Sequence, residues 1–159
     1  TKSVKMLGSK LISKGHMSCK QPDNLLWEYT SPYTYTFILN GSQVLLKKGK
    51  RNDVVDVNQN KIFKEIARIM INSVLGKCIT DKKDFKTTIT SKDKYHLATL
   101  VPQKREMKQM FSKIVLHYDK NIAMVVKVEL YEKNGDSTLI ELQNIAKNKN
   151  IDASVFKIN

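Results

Sequence analysis

The chain has 159 residues, 41% of them apolar, which suits one ordinary globular domain and is too short for two well-formed ones. Its 28 lysines and arginines against 15 aspartates and glutamates give a formal charge of +13, which speaks to partners and solubility rather than to fold. Six glycines, three prolines and two cysteines exclude collagen-like and disulfide-scaffold architectures, and no apolar run approaches the roughly 20 residues of a membrane-spanning helix.

The basic residues are nearly all lysines, with arginine only at Arg51, Arg68 and Arg105. Nucleic-acid readers favour arginine for bidentate contacts, so scattered lysine reads first as a solvated coat. Cys19 and Cys78 either bridge in an oxidising compartment or remain small buried apolar residues. The chain opens at Thr1 without an apolar signal core, as expected of a mature or trimmed form, which leaves room for a removed export signal.

Residues 11–48 read as an antiparallel meander. Leu11, Ser13, Gly15, Met17 and Cys19 alternate with Ile12, Lys14, His16, Ser18 and Lys20. Gln21-Pro22-Asp23-Asn24 is turn chemistry, and Leu25, Trp27 and Tyr29 resume the alternation. Ser31-Pro32 breaks it, and Tyr33, Tyr35, Phe37 and Leu39 form an aromatic face leading to the Asn40-Gly41 hairpin signal. Residues 60–75 are expected to be a helix stopped by Gly76. Ile62, Phe63, Ile66, Ala67, Ile69, Met70, Ser73 and Val74 make its apolar stripe. Such a stripe is ordinary core or a movable cover over an apolar pocket.

Strands are expected again at 85–91 and 95–101, closed by Pro102, then at 114–118, 124–131 and 138–142 with a turn at Lys133-Asn134-Gly135-Asp136. Val155 and Phe156 are placed to pin the end of the chain. Many antiparallel strands with one good helix predict a curved sheet or partial barrel.

Catalytic signatures are absent: no nucleophile elbow, phosphate loop, dinucleotide fingerprint or zinc-protease motif occurs. His16, His96 and His117 are widely spaced at solvent-side strand positions, and no cysteine or histidine pair has zinc-ligand spacing. His16 and Cys19 project to opposite faces of one strand. Glu28, Glu129 and Glu141 are not brought together by sequence alone. The aromatic residues Trp27, Tyr29, Tyr33, Tyr35 and Phe37 are the more informative feature. They are either packed core or the lining of an apolar cavity enclosed by a bent sheet.

The stretch from Ser13 through Gly15, Gln21-Pro22, Leu25, Trp27 and Tyr29, continuing through Pro32 and Asn40-Gly41, resembles the first hairpin of the periplasmic outer-membrane lipoprotein carrier family, LolA. Phe85, Leu100-Val101-Pro102, Ile114-Val115-Leu116, Gly135-Asp136-Ser137-Thr138 and Ile151–Phe156 follow in the family's order, so the resemblance covers nearly the whole chain. It implies a single domain over residues 1–159, mainly β, as an unclosed and strongly curved antiparallel barrel covered by an α-helical lid around an apolar cavity. The cavity would be lined by Met17, Leu25, Trp27, Tyr29, Tyr35, Phe37 and Leu39, and the lid would carry Ile62, Phe63, Ile66, Ile69 and Met70. Gln21 stands where members often carry an Arg that latches the lid. The family's helix before the first strand would be missing from this chain.

The implied function is that of a periplasmic chaperone of outer-membrane biogenesis in a Gram-negative bacterium. It would bind the acyl chains of outer-membrane lipoproteins and ferry them from the inner to the outer membrane as a monomer, without catalysis, metal or cofactor. The implied partners are the lipoprotein cargo, an inner-membrane ABC-type release complex, and an outer-membrane acceptor or the membrane surface, with no nucleic acid among them. Two rivals remain: a related lipid-binding or lipoprotein-sensing barrel that transfers nothing, and a nucleic-acid-binding barrel stacking bases on Tyr33, Tyr35 and Phe37 above the Lys47–Arg51 patch.

Overall fold

The computed structural model describes residues 2–4, 9–56, 71–72 and 83–158. Two compact units emerge, one formed by Thr1–Leu11 with Asn72–Ile145 and the other by Ile12–Ile71 with Ala146–Asn159. Each is built around one antiparallel sheet.

The first unit holds strands β1 (Lys2–Val4) and β2 (Ser9–Leu11) from the start of the chain. To these it adds β8 (Phe85–Lys92), β9 (Tyr95–Pro102), β10 (Phe111–Asp119), β11 (Met124–Glu132) and β12 (Ser137–Glu141). They pair in the order β2-β1-β12-β11-β10-β9-β8. Alternation decides which face is dry. Leu100, Ile114 and Leu130 stand opposite one another across three strands, as do Ala98, Leu116 and Val128. With Phe85 they form the face that carries this unit's core, where all are buried except the half-buried Leu130. The short helix α1 (Arg105–Met110) packs on β9 and β10 and contributes the fully buried Met107.

The second unit is a five-stranded meander, β3 (Lys14–Lys20), β4 (Asn24–Ser31), β5 (Tyr35–Asn40), β6 (Gln43–Lys48) and β7 (Arg51–Asp56), paired in sequence order. Asn40 pairs with Gln43, so the hairpin loop is Gly41-Ser42, one residue past the expected Asn40-Gly41, and Gly41 occupies the left-handed region at φ 59° as its first residue. One face carries Ile38 and Leu45, covered by Phe156 with Leu26, Ile151 and Ile158 packed around them. Phe156 closes a 3-10 turn (Ala153–Phe156) whose start is capped by Asp152, which accepts from the Ser154 N–H at 2.8 Å. The Asn40 side chain donates to the Phe156 carbonyl at 3.1 Å and ties the turn to the sheet.

The molecule is mainly β, with few helices among the described residues, and each sheet is open, with two distinct edges. Three further details depart from the sequence expectation. Leu11 belongs to the first unit's β2, and the meander begins only at Lys14. The strands expected in two separate groups after residue 85 form one continuous ladder. Phe156 pins the chain end, whereas Val155 is exposed, because the 3-10 turn directs only one of the two at the sheet. Of the expected helix at 60–75, Ile71 and Asn72 are helical and Ile71 is buried. Ile62, Phe63, Ile66, Ile69 and Met70 lie outside the described residues, as does Cys78.

Candidate functional site

The seven residues expected to line an apolar site all occur in the five-stranded sheet, and the register puts them on one face. Met17 stands opposite Trp27, Trp27 opposite Phe37, and Phe37 opposite Leu46. The next row pairs Leu25 with Leu39 and Leu39 with Val44. The third row pairs Tyr29 with Tyr35. Val44 and Leu46 complete the face and were not singled out from sequence, although they sit two residues apart in the strand that follows the Gly41-Ser42 loop.

This face is graded from dry to wet. Leu25 and Val44 are fully buried and Leu39 nearly so, whereas Met17, Trp27, Tyr29 and Tyr35 are half-buried. The rings form a connected group, with Tyr29 6.2 Å from Trp27, 6.2 Å from Tyr35 and 5.9 Å from Tyr33 between centroids. Burial, and next the neighbouring Tyr33, push the Tyr29 phenol above its ordinary value against a lowering hydrogen bond from Trp27. Burial and Tyr33 also raise Tyr35. Both hydroxyls therefore stay neutral at physiological pH, and the face presents apolar area with uncharged polar rims.

Gly15 makes the first pairing of this sheet possible. A Cβ there would meet the Glu28 carbonyl oxygen at 1.7 Å, so β3 approaches β4 closer than any side chain allows. Gln21, which the resemblance suggested as a lid latch, lies exposed in the turn before β4 and joins Pro22 through a cis bond.

The other sheet carries a polar network on the face opposite its core. His117 Nε2 and Glu129 Oε1 are 2.5 Å apart, and the Tyr131 hydroxyl donates to Glu129 Oε2 at 2.5 Å. Lys113 lies 4.5 Å above the Tyr131 ring, and Lys127 pairs with Glu141 at 3.2 Å. Burial works against the Glu129 carboxylate, but the Tyr131 and His117 hydrogen bonds and the charges of His117 and Lys127 outweigh it and hold the group below its ordinary value. His16 and His96 are exposed. Among the described residues no group of three or more His, Cys, Asp or Glu is placed to hold a metal ion, and no helix is long and apolar enough to cross a membrane.

A protein named outer-membrane lipoprotein carrier protein from Legionella pneumophila (strain Lens) is 23% identical over 147 residues, which span 92% of this chain and 69% of that protein. Among solved structures, a chain in the complex of the CwlD amidase from Clostridioides difficile with the GerS lipoprotein is similar in fold. Its TM-score is 0.54 at 15% identity, covering 86% of this chain and 85% of that one. The model of one family, described as outer membrane lipoprotein carrier protein LolA, matches residues 1–159. The match runs the whole length of the chain, and this chain is therefore a member of the LolA family of lipoprotein carriers.

Proposed function

We propose that this chain is a periplasmic carrier that receives the acyl chains of outer-membrane lipoproteins and ferries them from the inner to the outer membrane. The observation that carries this reading is the shared face of Met17, Leu25, Trp27, Tyr29, Tyr35, Phe37 and Leu39, whose half-buried rim leaves apolar area for a ligand. Acyl chains gain about 0.8 kcal/mol for each methylene removed from water, so a lipoprotein anchor needs such a shield to cross an aqueous compartment. Family membership supports the same reading, and the full-length match supports treating residues 1–159 as one carrier domain.

In this mechanism nothing covalent happens. The fully buried row of Leu25, Leu39 and Val44 serves as a rigid floor, and the half-buried rings and Met17 adapt to the ligand. Residues 60–75 act as the lid, with Gln21 in the latch position, so that binding stays strong enough to shield and weak enough to release. An inner-membrane ABC-type complex loads the carrier, and an outer-membrane acceptor or the membrane itself unloads it.

The test uses half-buried positions, because the buried Phe37 would lose stability under either reading. Tyr35→Ser and Met17→Ser are expected to weaken binding of a fluorescent long-chain lipid at least about tenfold while shifting Tm little. Wild-type protein that binds no such lipid would refute the carrier. Lipid binding without hand-off to acceptor vesicles would instead mark a lipid binder that transfers nothing.

A further inference from the structure

One end of the five-stranded sheet gathers features that the acyl-chain face does not use. Tyr29 pairs with Tyr35 near the turn holding Tyr33, Thr36 pairs with Lys47, and Lys48 pairs with Arg51 around Lys50. Lys14 pairs with Ser31 at the same end. The β6–β7 turn and the β4–β5 turn thus lie side by side with the start of β3. Lys14, Lys48 and Lys50 are exposed, Tyr33 is 45% exposed, and Ile12, two residues before β3, is 63% exposed. Arg51 is held by Asp53 at 2.7 Å, so the outward charge at this end is carried by the lysines.

Lysine, a neutral amphipathic ring and an exposed aliphatic side chain on one edge match the layered chemistry of a lipid surface, with headgroup anions outside and acyl chains beneath. A polynucleotide surface would favour arginine and has no use for an exposed isoleucine. We propose that this end of the sheet is a docking edge for an anionic lipid bilayer, with Lys47, Lys48 and Lys50 facing the headgroups and Tyr33 and Ile12 entering the interfacial layer. Docking stands on this geometry alone; that cargo is delivered here rests on the carrier reading. Tyr29 and Tyr35 join the docking edge to the wet rim of the apolar face, so acyl chains leaving that rim would emerge at the bilayer.

Co-sedimentation of the full chain with phosphatidylcholine vesicles containing about 30% phosphatidylglycerol, beside pure phosphatidylcholine vesicles, tests this at salt of about 20 and about 200 mM. Binding is expected only with the anionic vesicles and to fall with salt. The triple variant Lys47→Gln, Lys48→Gln, Lys50→Gln should lower partitioning on the order of 100-fold, and Tyr33→Ser about fivefold. A control triple, Lys86→Gln, Lys92→Gln, Lys108→Gln, removes the same charge from the other unit and should change it by less than about threefold. If the turn triple unfolds, Lys50→Gln alone, expected to lose about fivefold, replaces it. Equal losses from both triples, equal binding to neutral vesicles, or displacement from vesicles by a single-stranded oligonucleotide would each overturn the docking edge. Solution binding of the fluorescent lipid, expected unchanged in the lysine variants, separates failure of docking from failure of the carrier reading.

Discussion

A methyl group on Gly15 would sit 1.7 Å from the backbone oxygen of Glu28, so the first two strands of the meander meet there only through glycine. The obstacle is main chain, which cannot swing aside as a side chain does. Gly15→Ala is therefore expected to cost about 2–4 kcal/mol by forcing β3 off β4. Urea unfolding followed by the fluorescence of Trp27, the chain's single tryptophan, reports it directly. An unchanged midpoint would show that the strands separate freely at this point.

Two residues of one face should respond unequally to truncation. Leu25 is fully buried and Met17 half-buried. Leu25→Ala is expected to cost about 3 kcal/mol through lost burial and a residual cavity, and Met17→Ala less than about 1 kcal/mol. Comparable losses at both sites would mean that the face is uniformly packed, with no adaptable rim.

The end of the chain offers a neighbouring pair. Phe156 covers Ile38 and Leu45 at 1% exposure, while Val155 beside it is 37% exposed. Phe156→Ala should destabilise the second unit by about 3–4 kcal/mol and Val155→Ala by under about 0.5 kcal/mol. Chemical denaturation of the two variants checks both values at once.

Acid should weaken the first unit through Glu129. Its folded-state pKa lies below the ordinary 4.5, so ionised Glu129 favours the folded state above that pH. This contribution fades as pH falls from about 4.5 through the lower folded value. Stability measured against pH should show a difference between wild type and Glu129→Gln that shrinks as pH falls below about 4.5. Parallel profiles through that window would remove Glu129 from the acid response.

Much of the second sheet was legible because its strands obey a period of two and its turns have specific chemistry. Trp27, Tyr29, Tyr35 and Phe37 could be assigned to one face from alternation alone. Strand β7 was not legible: Arg-Asn-Asp-Val-Val-Asp has no alternation, and an edge strand held by the β6 backbone needs little apolar character. Helix α1 has six residues and one buried side chain, Met107, too few to show a helical period. Strands β1 and β2 have three residues each, and their pairing with each other and with β12 is long-range information that no local pattern carries. At the site, the shared face could be read, but not its gradient. How deeply Leu25 or Met17 is covered depends on neighbours distant in the chain.

The hydrogen bond from Asn40 to Phe156 spans 116 residues, and this separation sets an order of events during synthesis. The meander over residues 14–56 leaves the ribosome early, while Phe156, which covers Ile38 and Leu45, follows Asn40 by 116 residues. At about 5–20 residues per second the stripe stays bare for roughly 6–23 s, with the whole first-unit segment Asn72–Ile145 emerging in between. A nascent or exported chain halted before Phe156 presents that stripe to any apolar surface it meets. Holding factors that act on this protein would find their target there, and truncations at the far end of the chain would be read as folding defects of its beginning.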